Sequence, residues 1–208
     1  MNIPGLMRCF ALCALLLCLA SCLPKLDPGP APIRVRLNPA MPGNTGEAPL
    51  NRQITVAMPR AAGDIDNDRI ALAFHTREVR YLSGLRWAGN LAPMIQAQIM
   101  QALESTGVFS GVGDEVTGLS ARARLQTDIR QFALVYASEE GLPVAEFAAT
   151  FRLLNMSEAK IAATRQVDIQ VPASGTDNPA LIEAMEKALA QGLGEMAPWV
   201  ARSVKNLR

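Results

Sequence analysis

The chain has almost none of the residues that most often carry chemistry in an exported domain. Its four cysteines are Cys9, Cys13, Cys18 and Cys22, and none follows. The stretch after Cys22 can therefore form no internal disulfide, thiol nucleophile or cysteine-based metal site. Histidine is nearly as scarce: His75 is the only one, and no neighbouring cysteine or acid gives metal-ligand spacing. It reads as a solvated residue at a strand end. No G-x-S-x-G elbow and no Walker motif occurs, which argues against a serine hydrolase of that type and against an ATPase. Charge of one sign is also lacking. The 20 Lys+Arg include Arg8, which leaves 19 against 19 Asp+Glu beyond it, with no block of like charge. Nothing in that balance points to nucleic acid or to a polybasic membrane segment. The sequence predicts no catalytic residue, no cofactor and no metal, and so no enzyme.

What is present begins at the N-terminus. Met1–Phe10 carries one positive side chain, Arg8, and Ala11–Ala20 is uncharged and apolar apart from cysteine. This is a signal-peptide pattern, too short for the ~20 apolar residues that span a bilayer. Leu19-Ala20-Ser21-Cys22 follows directly. Small residues suit a narrow peptidase cleft, and the thiol can take up diacylglycerol. The pattern is a lipobox. It predicts a signal peptide over 1–21, removed before Cys22, and a lipid anchor on that cysteine.

Residues 22–50 read as the lipidated cysteine and a tether. Seven prolines (24, 28, 30, 32, 39, 42, 49) and three glycines (29, 43, 46) fall after Cys22 in this stretch. Proline removes amide donors and fixes φ, so the segment is poorly suited to a helix or sheet interior. Extended at about 3.1 Å per residue, it could hold a domain several tens of Å from a membrane. Within it Ile33–Leu37 alternates, as an edge strand or a docking strand would.

The folded domain is expected over 51–208. Strand patterns occur at Ile54–Pro59, Arg69–Phe74, Glu78–Leu82 and Val108–Val112, with Gly84 breaking the third. Three longer ones follow. Ala121–Ile129 has an apolar face (Ala121, Ala123, Leu125, Ile129) and a polar one (Arg122, Arg124, Gln126, Asp128, Arg130). From Phe132 the phase changes, which suggests a bulge. Val144–Leu154 alternates, and Ile161–Val171 places Ile161, Ala163, Val167, Ile169 and Val171 together. Leu91–Thr106 is helical, with Leu91, Ile95, Ile99 and Leu103 in one stripe, Asn90 as N-cap and Gly107 as a left-handed C-cap. A long helix starts at Asn178-Pro179, and Pro198 should kink or break it. Together these predict an α+β fold: an antiparallel sheet of about five to six strands, with two helices packed on one face.

Asp64, Asp66 and Asp68 alternate in Asp64-Ile65-Asp66-Asn67-Asp68. The run lacks the glycine and the distal glutamate of an EF-hand loop, so it reads as a polar turn rather than a calcium site. Gly111-Val112-Gly113 is too short for a phosphate loop. Arg122, Arg124, Arg130, Glu146, Arg152, Lys160 and Asp168 are expected to line the wet face of the sheet, as a solvated surface or a subunit contact.

The order of several segments is familiar. Asp66-Asn67-Asp68-Arg69-Ile70-Ala71-Leu72 is followed by Val79-Arg80-Tyr81, by Leu85-Arg86-Trp87-Ala88 and by the helix at Leu91. Ala123-Arg124-Leu125-Gln126-Thr127-Asp128-Ile129 leads to Phe132, and the last helix carries Pro198-Trp199. Over about residues 52–200 the chain resembles the auxiliary lipoprotein components of ABC-type, MCE-containing transport systems, the family of the paraquat-inducible intermembrane transport lipoprotein. The resemblance implies a palmitoylated lipoprotein in the periplasm, working with an MCE-domain protein and an ABC permease that move lipid between membranes. It also implies a possible homo-oligomer. Leu23, rather than aspartate, follows the lipidated cysteine, which in enteric-type sorting favours the outer membrane. Tyr81, Trp87 and Trp199 belong to the family pattern, and such aromatics more often pack than bind. The other reading of a lipobox with an α+β body is a structural, pilotin-like lipoprotein of outer-membrane assembly.

Overall fold

The computed structural model describes residues 31–74, 78–138 and 141–207. Cys22, the signal segment, His75, Glu139 and Glu140 lie outside the described residues. Pro32–Arg208 forms one compact unit.

Its axis is a 14-residue strand, β7 (Ala123–Tyr136). One edge of β7 pairs along nearly its whole length, antiparallel, with β8 (Val144–Asn155), and β8 pairs antiparallel with β9 (Lys160–Pro172). The other edge is shared end to end by three shorter strands. β2 (Leu50–Val56) meets Ala123–Leu125, β3 (Arg60–Ala61) meets Asp128–Ile129, and β4 (Arg69–Phe74) meets Leu134–Tyr136, all parallel to β7. β6 (Phe109–Asp114) runs parallel to β2. β5 (Val79–Trp87) runs antiparallel to β4 and carries β1 (Ile33–Val35), which is parallel to it.

The expectation of an antiparallel sheet of five to six strands is therefore overturned. The sheet is mixed and has nine strands among the described residues, although the fold remains α+β with two helices. The physical reason is plain. Alternation reports which face of a strand is buried, not which way its neighbour runs. Here β2, β3 and β4 reach β7 through crossovers and run parallel to it, and β1 and β3 are too short to show a period.

The phase change in β7 is a bulge. Ile129 pairs with Ala149 and Gln131 with Ala148, so Arg130 is the extra residue. It moves Phe132 and Leu134 onto the same side as Ala123, Leu125 and Ile129, all buried. A second bulge, at Ala162 of β9, was not legible. Leu153 pairs with Ala163 but Leu154 with Ile161, which turns Ile161 to the wet side at 54% exposure instead of placing it with Ala163 and Val167.

Both helices cover the dry face. α1 (Leu91–Ser105) lies against β2 and β6; α2 (Asn178–Lys205) lies over β7, β8 and β9 and touches α1. α1 ends as expected, with Gly107 at φ 69°. α2 does not break at Pro198. Beyond it Val200, Ala201 and Val204 are fully buried, and that packing holds the last turns in place.

Residues read as tether lie along this body from Ile33 onward. Leu37 is buried and its carbonyl accepts from Gln98 Nε2 at 3.4 Å. Asn38 N–H donates to Glu186 at 2.7 Å, Ser105 Oγ to Pro42 O at 2.5 Å, and Glu47 pairs with Lys205.

The core closes on aromatic packing. Trp87 stacks on Phe132 at 6.0 Å and Phe132 meets Phe147 edge-on at 5.9 Å. α2 presses on Phe147 through Gly192, where an added Cβ would lie 2.5 Å from the ring. Gly192→Ala should therefore lower the thermal midpoint, because overpacking of about 1–3 kcal/mol outweighs the helix-propensity gain of about 1 kcal/mol. Gly194→Ala meets no neighbour and should hold or raise the midpoint in the same melting experiment.

Candidate functional site

The turn at Asp64–Asp68 organises the quarter of the molecule where the sequence motifs meet. Asp66 is the true cap of α1. Asn90 has the extended backbone of an N-cap but makes no side-chain cap bond; Ala92 N–H instead donates to Asp66 Oδ1 at 3.1 Å. Asn67 Oδ1 accepts from Arg69 N–H at 2.8 Å, and its amide returns to the carbonyls of Gly63 and Asp64. Asp68 O accepts from Trp87 N–H at 2.8 Å, while its carboxylate meets Arg86 at 2.9 Å and Arg34 at 3.6 Å. Asp66 and Asp68 thus serve structural bonds through their carboxylates, and Asp64 serves through its backbone carbonyl, which accepts from Asn67 and Tyr81. Among the described residues no group of three or more His, Cys, Asp or Glu is placed to share a metal ion.

The family-pattern aromatics fall into this arrangement. Trp87 is 1% exposed, inside the core. Tyr81 is half-buried: its hydroxyl donates to Asp64 O at 3.0 Å and the Arg69 guanidinium lies 3.6 Å over its ring. Trp199, on α2, is partly buried against the core and stands apart from the other two.

On the same wet face, β7–β9 carry the charged side chains expected there, and most are paired within the chain. Arg130 meets Asp168 at 2.9 Å, Arg124 meets Glu115 at 3.1 Å, Lys160 meets Glu158 at 2.5 Å, and Gln170 donates to Glu146 at 2.9 Å. Arg152 and Arg60 converge on Asp128. Burial alone would raise the Asp128 pKa, but hydrogen bonds from Arg152 and Arg60 prevail and hold it below the usual carboxylate range. Arg122 is exposed and lines a polar groove of about 340 Å³ with Arg52, Gln53, Ser110 and Ser120. Such a lining suits water or a polar group rather than an acyl chain.

Comparison with known proteins assigns this arrangement. The family model for the ABC-type transport auxiliary lipoprotein component matches residues 36–197. The chain belongs to that family. The crystal structure of protein XCC0632 from Xanthomonas campestris is similar, with a TM-score of 0.75, 26% identity, and 83% of this chain and 97% of that one covered. A crystal structure of an uncharacterized protein shares the fold at a TM-score of 0.59 and 12% identity, over 79% of this chain and 99% of the other. No curated protein matches the chain.

In this auxiliary lipoprotein the segments quoted from the sequence are one spatial cluster, from Asp64–Asp68 through Tyr81 and Arg86-Trp87 to the start of α1. Sequence reading missed that Asp66 caps α1, because the bond spans 26 residues and leaves no local signature.

Two outcomes test this account. Asp66→Ala should lower the unfolding free energy by about 1 kcal/mol, the typical value of a helix cap, seen as a lower urea midpoint. For Asp128 the folded pKa is depressed, so its contribution is complete above the unfolded value near ~4 and is lost as pH falls through the lower folded value. Unfolding free energy measured between pH 6 and 2 should fall less steeply in Asp128→Asn than in the parent chain.

Proposed function

We propose that this chain is a non-enzymatic auxiliary lipoprotein of an MCE/ABC-type system that moves phospholipid between membranes. It is anchored on Cys22 at the periplasmic side of the outer membrane. The observation that carries the reading is the family match over residues 36–197, lying directly behind a lipobox. Its partners on this reading are the MCE-domain protein and the ABC permease, with self-association as a further possibility. Leu23 after the lipidated cysteine supports the outer membrane. The fold is compatible with a docking role: both helices are committed to the core, and the open sheet face remains for contact.

The test is affinity purification of the lipidated protein from gently solubilised envelopes, followed by mass spectrometry. Recovery of an MCE-domain protein, with or without its permease, is expected. Recovery of only a secretin or barrel-assembly protein, with the MCE protein demonstrably present in the extract, would overturn the transport reading. Cys22→Ser should abolish acyl labelling and shift the chain from the membrane to the soluble periplasmic fraction.

A further inference from the structure

Three arginines stand side by side across the β1–β5–β4 corner of the sheet. Arg34 is directly opposite Arg86, and Arg86 is directly opposite Arg69. Like charges in such cross-strand pairs are destabilising. The row has little internal compensation. The Asp68 carboxylate is shared between Arg86 and Arg34, and Arg69 rests on the Tyr81 ring instead of an acid. Arg34 and Arg86 keep 58% and 41% of their side-chain surface exposed. Arg36, two residues beyond Arg34, is exposed and has no ion-pair partner among the described residues. Elsewhere on the wet face the cations are mostly matched by acids, as at Arg130–Asp168 and Arg124–Glu115. The row is a local concentration of positive charge beside the acidic turn at Asp64–Asp68, and the fold creates it by bringing positions 34, 69 and 86 into one line.

The row sits where the chain leaves the domain toward its anchor. β1 is the first strand of the described body, and eleven peptide steps separate Ile33 from Cys22. Fully extended, that length spans no more than about 40 Å.

From the charge of the row and the length of chain leading to it, we propose that the β1–β5–β4 arginine row is a docking surface for the anionic phospholipid headgroups of the membrane that carries the anchor. Planar guanidinium groups suit phosphate oxygens, and the shared carboxylate leaves donors free for them. A lipid-anchored domain would then lie against its own bilayer, with β6 and β9, the strands at the other borders of the sheet, directed away for partners. The distance argument rests on the lipidation reading; the charge argument does not.

The test uses residues 22–208 with Cys22→Ser, so that no lipid supplies the attachment, and co-sedimentation with vesicles. Vesicles of phosphatidylcholine with about a third phosphatidylglycerol should bind the chain at low salt, pure phosphatidylcholine should not, and binding should fall as salt rises. Arg34→Gln with Arg36→Gln should weaken binding about tenfold or more. Asp68→Asn should strengthen it by releasing Arg34 and Arg86, a gain that misfolding does not mimic when the melting transition remains cooperative. Three results would each overturn the proposal: no binding to the anionic vesicles, equal binding by the Arg34/Arg36 variant, or a stabilising shift with inorganic phosphate alone while vesicles stay unbound. Each can occur whether or not an MCE-domain protein is recovered from envelopes, so the two readings fail separately.

Discussion

The bulge at Arg130 is the constraint on which the rest of the structure depends. β7 is long enough to face three different neighbours on one edge while a single partner follows it on the other. A strand of that length has one buried side only if its alternation keeps step with the core. The sequence changes step between Ile129 and Phe132, and without an extra residue Phe132 and Leu134 would turn to water. Arg130 takes up the slip, and its freed side chain reaches Asp168 on the edge strand. Phe132 can then stand between Trp87 and Phe147, joining the β5 end of the core to the surface under α2.

That join explains why the family motifs are scattered in the chain yet contiguous in space. Trp87 is inside the core, and its amide is fixed by Asp68 O. Asp68 cannot be displaced without moving Asp66, which holds the first turn of α1, or Asn67, which closes the turn on itself. The Asp64–Asp68 run is therefore a fastening between sheet and helix. Asp66 and Asp68 so placed hold the fold, and this gives the acidic stretch a structural role.

The sequence was most readable where one physical rule decided the outcome. Arg69–Phe74, Val144–Leu154 and Ile161–Val171 were found within a residue, because burial of one side imposes a period of two. The stripe of α1 and its glycine stop followed from helix geometry. What was not readable involves two segments at once. Strand direction depends on the route of the connection, so the parallel pairing of β2, β3 and β4 left no trace in alternation. The Ala162 bulge is a matter of register between β8 and β9, so Ile161 was placed on the wrong side. Pro198 has a local rule against it, and the rule yields to the buried residues beyond, which hold the helix. The helix cap was sought at Asn90, the adjacent residue, whereas the acceptor came from Asp66.

The same distinction bears on charge. A chain with nearly balanced charge and no basic block shows no polybasic segment to a sequence reading. Positive potential on a surface is set by which positions become neighbours, and a sheet makes neighbours of residues 34, 86 and 69. Across β7 to β9 neighbouring is used to cancel charge: Asp128 draws in two arginines, and Asp168 draws in the bulged one. At the β1 corner it is used to concentrate charge, with one carboxylate serving two guanidinium groups and an aromatic ring holding the third. A fold under selection for stability alone would place an acid or an apolar residue opposite Arg86, since the cross-strand repulsion is avoidable. Arginine on both sides of it is a cost to the free domain that an anionic surface would offset.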